Sequence, residues 1–159
     1  DYTKAQGGNN WFYGYYEGDG PYKPSEFKEM IQKETMWGYE WRADGIQFLK
    51  QGPNLMHPDS RNKAPVVAVR RWKSPVSGKV RIVVDWETWE KGDGIVGKIL
   101  LDGKEMDSRV VAGPGPGRKS RAEVRTEVRP GSIVEILCHP NQNTQFDATT
   151  FQAMIIQEK

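Results

Sequence analysis

Twenty-one acidic side chains and two histidines are the groups in this chain able to move protons. Two carboxylate pairs lie close enough in sequence to be assembled as acid and base, Asp85 with Glu87 and Glu34 with Glu40. Such a pair cleaves a glycosidic bond only at a set separation across a pocket, and any chain this acidic offers pairs of the kind. His57 and His139 have no metal-type spacing to each other or to a cysteine. No G-x-S-x-G elbow, phosphate-binding loop or dinucleotide fingerprint is present. The pattern argues against an enzyme.

Six Trp and six Tyr are the stronger signal. Pyranose rings present apolar C–H faces that stack on indole and phenol rings, while their hydroxyls take planar polar partners. Trp37, Tyr39 and Trp41 recur at spacing two with Glu40 and Arg42 beside them, so in a strand the three rings share one face. Trp11, Tyr13 and Tyr15 form a second such set, and Trp86 and Trp89 a third cluster beside Glu87 and Glu90. The competing reading is core. An inward aromatic of a sandwich buries a large area, and exposed apolar clusters are uncommon without a partner. The polar residues alternating with Trp37, Tyr39 and Trp41 favour that reading for them, whereas Trp89 sits in a loop-like Glu-Thr-Trp-Glu-Lys-Gly-Asp-Gly.

His57, near Asn54 and Asp59 before Pro58, can donate to a ligand hydroxyl or to the backbone. Arg70 and Arg71 are adjacent, so one faces each side of its sheet. The inward one needs a carboxylate or ligand partner, because a buried unpaired charge is prohibitively costly. The candidate ligand-binding set is therefore Trp37, Tyr39, Trp41, Arg42, His57, Arg70, Trp86 and Trp89, with no catalytic residue. Asp19, Asp93 and Asp147 offer loop oxygens to a structural calcium, although no Asx-rich loop of fixed spacing appears. Asp147 can equally form an Asx turn entering the last strand.

The elements that must position these groups are mostly strands. Asn10–Tyr16 is an aromatic strand bounded by Gly/Asn and Gly/Asp/Pro turns. Pro24-Ser25 opens the one helix expected, at residues 26–33, with Ser25 as cap and Phe27, Met30 and Ile31 as its apolar stripe. Strands follow at 36–41, 46–49, 66–72, 80–86 and 95–101, with a loop over 51–64. Asp102-Gly103 marks a hairpin into 104–106. Gly113–Gly117 joins two strands. Residues 121–128 alternate charged and apolar side chains, and 132–138 and 151–157 complete the set. About nine or ten short strands and one small helix specify an all-β, antiparallel β-sandwich of jelly-roll type.

The 159 residues fit one domain, 1–159, large enough to bury a core without metal or disulfide staples. A formal net charge of +2 is too mild for the clustered basic footprint of a nucleic-acid binder. No apolar run reaches the ~18–20 residues that cross a bilayer, so no membrane partner is expected. The single Cys138 lies in an apolar run and reads as a buried small hydrophobe. The chain opens at Asp1 with neither Met nor an apolar leader, as expected of a mature secreted protein or an excised domain.

Several of these stretches occur together in a known pattern. Asn10-Trp11-Phe12-Tyr13-Gly14-Tyr15, Met56-His57-Pro58, Arg71-Trp72-Lys73-Ser74-Pro75-Val76-Ser77-Gly78, Gly92-Asp93-Gly94-Ile95, Asp102-Gly103 and Phe146-Asp147-Ala148-Thr149-Thr150-Phe151 resemble bacterial extracellular β-sandwich modules. Such modules are carbohydrate-binding domains appended to secreted polysaccharide-degrading enzymes. The resemblance runs along nearly the whole chain. It implies a jelly roll, a polysaccharide or oligosaccharide ligand, a secreted location, a catalytic domain in the same parent protein and a calcium option, and it carries over no residue-by-residue site. The expectation is a monomeric, non-catalytic carbohydrate-binding module. Its rivals are a structural or adhesion sandwich acting through protein contacts and a small glycan-cleaving jelly roll.

Overall fold

The computed structural model describes residues 2–36, 38–89, 91–112 and 115–158. It is an antiparallel β-sandwich of jelly-roll type, and alternation explains most of it. The strands, in chain order, are β1 (Trp11–Glu17), β2 (Lys28–Glu29), β3 (Ile31–Thr35), β4 (Gly38–Arg42), β5 (Lys50–Gly52), β6 (Leu55–His57) and β7 (Asp59–Arg61). Then come β8 (Ala64–Lys73), β9 (Gly78–Thr88), β10 (Ile95–Leu101), β11 (Lys104–Val111), β12 (Lys119–Val128), β13 (Ile133–Pro140) and β14 (Thr149–Gln157). One sheet runs β11-β10-β13-β8-β1-β2, with β7 also on β8; the other runs β12-β9-β14-β6-β5-β4-β3. Sequence neighbours such as β8 and β9 lie in opposite sheets, as Greek-key connections require.

The longest strands show the period-two pattern best. On β12, Arg121, Glu123, Arg125 and Glu127 are exposed while Ala122, Val124 and Val128 are buried. On β9, Val80, Ile82, Val84 and Trp86 point inward to meet Tyr13, Ala68, Ile136 and Phe151 in one continuous core. Cys138 is in that core, its thiol donating toward the Thr149 hydroxyl at 3.7 Å. Asp102 and Gly103, at φ +50° and +84°, make the tight hairpin turn between β10 and β11 that their residue types favour. Residues 113 and 114 of the Gly/Pro stretch lie outside the described residues.

The expected helix at 26–33 does not form. Pro24–Glu26 make a single 3₁₀ turn without a side-chain cap, and the chain then extends into β2 and β3. Two strands supply the backbone partners: β1 pairs with Lys28 and Glu29, and β4 pairs with all of β3. Met30 alone of the expected stripe is buried, its amide donating to the Tyr13 carbonyl, while Ile31 is exposed. Phe27 lies across Gly14, where any Cβ would enter its ring. Strand pairing thus overrides an i, i+3, i+4 pattern only two turns long. The expected strand at 46–49 is also absent, and the expected loop at 51–64 contains β6 and β7.

A second cluster covers the outer face of the first sheet. Tyr22 and Phe27, carried by the segment between β1 and β2, pack on Tyr16, Val67, Val69, Leu100 and Leu137. Beneath them Arg71 donates twice to Glu135 Oε1, at 2.9 and 2.7 Å, and to the Pro24 carbonyl at 2.9 Å. The Tyr16 hydroxyl donates to the same Glu135 oxygen at 2.7 Å.

The sheets approach closely at Gly97 on β10. A Cβ there would stand 2.7 Å from the Trp86 indole, which is itself 1% exposed. Overpacking of this kind costs about 1–3 kcal/mol. Gly97→Ala is therefore expected to lower the urea midpoint by that equivalent while leaving the far-ultraviolet spectrum of a β protein intact.

Candidate functional site

Most of the aromatics singled out from the sequence are core. Trp11, Tyr13, Trp41 and Trp86 are buried, and Tyr13 stacks on Trp41 with centroids 4.8 Å apart. The segment before β1 seals this end of the core. Trp41 donates its indole N–H to the Thr3 carbonyl at 3.3 Å, the Tyr2 hydroxyl donates to the Tyr39 carbonyl at 2.8 Å, and Lys4 Nζ lies 3.9 Å over the Tyr39 ring. Trp41 and Trp86 consequently present no ring face to solvent, and Tyr39 is already covered by Lys4. Trp37 lies outside the described residues.

Arg70 is also corrected from a ligand group to a structural one. It points between the sheets, donates to the Gly52 and Pro53 carbonyls at 2.7 and 3.2 Å, and faces the rings of Phe151, Tyr13 and Tyr2 at 4.8, 5.2 and 5.8 Å. Burial lowers its pKa from 12.5 to about 10. It forms no ion pair among the described residues: backbone dipoles and ring faces replace the expected carboxylate.

The remaining candidates meet on the outer face of the second sheet. His57 pairs with Lys50 and Lys50 with Arg42, which places these three on one transverse row across β6, β5 and β4. Thr149 pairs with both Thr88 and Met56. Trp89 and Ala148 lie one residue beyond the Thr88–Thr149 pair, past the ends of β9 and β14. The Trp89 indole, 59% exposed, is the most exposed aromatic among the described residues. Phe48, also exposed, has its ring centroid 6.3 Å from that of His57.

The adjoining row is a shallow groove of about 490 Å³ lined by Asp85, Glu87, Lys119, Arg121, Thr150 and Gln152. Arg118 and Lys119 both reach Glu87 Oε1, at 3.1 and 3.2 Å, and Arg121 reaches Asp85 at 3.2 Å. Asp85 and Glu87 are thus neighbours on one strand face, each tied to a cation. Glu34 and Glu40 do not converge: Glu34 pairs with Tyr39 and Glu40 with Lys33, on opposite faces of the sheet. Lys50, Lys119 and Gln152 escaped the sequence reading. Nothing in the sequence pattern said that β9, β12 and β14 are neighbours.

The three aspartates separate. Asp19 is exposed and 3.2 Å from His139 Nε2, and among the described residues no three acidic, His or Cys side chains gather as a metal group. Asp93 and Asp147 do approach each other. Asp93 Oδ2 accepts the amides of Gln142 and Asn143 at 2.6 and 3.2 Å, pinning the loop before β10 to the loop before β14. Its Oδ1 and both carboxylate oxygens of Asp147 are buried with no hydrogen-bond partner. Burial, and then Asp93, push the Asp147 pKa from 3.8 up to about 8.

Burial also holds the His57 imidazole below its ordinary 6.5, helped by Lys50 and Arg42 and opposed by the Pro58 carbonyl and Asp59. The folded state therefore binds this proton less readily than the unfolded chain, and stability is lost as pH falls through about 6.5. A His57→Gln variant is expected to lose less stability than the parent between about pH 7 and pH 5, read from urea midpoints.

No protein-family model and no curated protein matches the chain. Among solved structures it is similar to a family 35 carbohydrate-binding module from Clostridium thermocellum, with TM-score 0.43, 8% identity, and 93% of this chain and 92% of that one covered. A family 35 module from an environmental isolate matches with TM-score 0.43, 7% identity, and 74% and 83% covered. A β-glucosidase from Kluyveromyces marxianus, solved with glucose, matches with TM-score 0.44 and 12% identity over 94% of this chain but 17% of that one. Likenesses this distant leave the functional reading to rest on the chain's own residues.

Proposed function

We propose that this chain is a non-catalytic carbohydrate-binding module whose ligand lies on the outer face of the second sheet, across Trp89. The observation that carries the reading is an indole 59% exposed just past the end of β9, the strand that supplies Asp85 and Glu87 to a groove lined by charged, amide and hydroxyl groups. An exposed ring supplies a stacking surface. Thr150, Gln152 and the His57 ring supply donors and acceptors for hydroxyls, and the sheet holds them without ordering cost on binding. The motif resemblance supports a secreted, bacterial parent protein with a catalytic domain, in which this module acts as a monomer.

The same reading includes a structural calcium, held by Asp93 and Asp147. Three buried carboxylate oxygens without partners fit a hard cation that takes oxygen ligands. Bound there, it would neutralise two buried acids and tie the loop that follows Trp89 to the loop before β14.

Trp89→Ala is expected to weaken binding to any retained polysaccharide about tenfold or more, as truncation of a central anchor does, with the melting temperature unchanged because the ring is exposed. Affinity electrophoresis against a panel of plant and algal polysaccharides measures it; undiminished retention by the variant rejects this platform. For the metal, calcium at 100 times its dissociation constant adds about 2.7 kcal/mol of stability over a chelator-treated sample. Asp147→Asn is expected to abolish that difference in a thermal melt.

A further inference from the structure

We infer that the second half of β14 is an open strand edge that takes an extended, uncharged peptide segment as one further strand of the second sheet. This contact surface lies at residues 153–157, beyond Thr150 and Gln152, and it stands whether or not a glycan binds across Trp89.

The inference comes from the parity of the β14 backbone. β9 pairs with β14 along its whole length, whereas β6 pairs with Thr149 and Thr150 only. The Phe151 amide then donates to the Asn54 carbonyl at 3.0 Å, and on the opposite side the Glu158 amide donates to the Lys79 carbonyl of β9 at 2.9 Å. Odd-numbered residues of β14 therefore turn their N–H and C=O away from β9, and even-numbered ones turn theirs toward it. Beyond the Asn54 contact, the edge-side backbone groups of Ala153, Ile155 and Gln157 have no partner among the described residues. The chain closes the comparable edge of β1 itself. There the Gln6 amide group bonds both the N–H and the C=O of Tyr13, at 2.8 and 2.7 Å, and the Gly7 amide donates to the Trp11 carbonyl at 2.8 Å.

Charge and lining say what covers the open edge. The strands that end the two sheets, β11, β2, β12 and β3, all carry Lys, Arg, Asp or Glu, the usual guard against edge-to-edge pairing. β14 carries no charge from Thr149 to Gln157, in a chain 28% charged. Its edge opens on a slot of about 400 Å³ lined by Asn9, Trp11, Trp72 and residues 153–156, and none of these is charged either. A charged segment entering the slot would lose hydration without gaining a partner. A neutral strand laid in line with β6 answers the backbone groups, and its side chains alternate between Trp11 and Trp72 on one face and Met154 and Ile156 on the other. The β14 of a second copy could not do this, because its own Ala153 and Ile155 pack on its own core. A lone extended segment has both faces free.

The test uses the whole chain and a fluorescein-labelled peptide of three Thr-Val repeats between lysine pairs, read by fluorescence anisotropy and by residue-resolved amide hydrogen exchange. Saturable binding is expected. The amides of Ala153, Ile155 and Gln157 should exchange fast in the free chain and slow about tenfold at saturation, while those of Gln152, Met154 and Ile156, already bonded to β9, stay slow throughout. Ala153→Pro removes an edge-side N–H and no bond to β9, and is expected to weaken the peptide about tenfold. Met154→Lys, at a side chain 49% exposed, keeps the fold and is expected to weaken it in the same direction. Equal affinity for a peptide with proline at its central valine overturns the inference, as does binding that neither variant weakens. Absence of binding, or edge amides that are already slow in the dilute free chain, also overturns it. A dimer in sedimentation equilibrium that Met154→Lys dissolves gives the edge to a second copy and overturns it as well.

Discussion

Two adjacent arginines on the central strand β8 constrain everything around them. Because a strand sends successive side chains to opposite faces, Arg70 must enter the space between the sheets and Arg71 must leave it. Neither charge can be left unmatched at that depth. Arg70 is answered by two carbonyls at the β5–β6 turn and by three aromatic rings, so it binds the first sheet to the second. Arg71 is answered by Glu135 from β13 and by the Pro24 carbonyl, so it binds the segment between β1 and β2 down onto the outer face. Covering that face commits it to structure. On the outer side of the other sheet, just past the end of β9, stands Trp89, 59% exposed.

The openness of that second face is graded. Toward β12 it is a ladder of alternating charges that satisfy one another, a solvated surface with little net field. Toward β6 and β5 the ladder breaks, acids become scarce, and aromatic groups appear at the margin. The groove across β12, β9 and β14 lies within that ladder, with Asp85 and Glu87 each tied to a cation.

The loops that end β9 and precede β14 depend on a different imbalance. Asp93 organises two backbone amides with one oxygen, while its other oxygen and both of Asp147 are withdrawn from water without partners. A buried pair of acids costs stability unless a proton or a cation compensates it. Its place beneath the loop after Trp89 links the electrostatics of the interior to the position of an exposed ring.

Much of this molecule was legible from the chain. Period-two alternation located β1, β8, β9, β10, β12, β13 and β14 to within a few residues, because each has one face in the core and pays for error with a buried charge. Asp102-Gly103 named its own turn, since both residues tolerate positive φ. Where neighbours in space decide, the sequence was silent. Residues 26–33 carry a helical spacing, yet β1 and β4 offered the backbone better partners than a two-turn helix could offer itself. Alternation says which rings share a face but not which face is inside. Only the meeting of the two sheets sent Trp41, Trp86 and Arg70 into the core and left Trp89, His57 and Arg42 on the surface. Residue spacing determined the strands; the pairing of strands distant in sequence decided the site, because a binding surface is made across a sheet and a sequence is read along it.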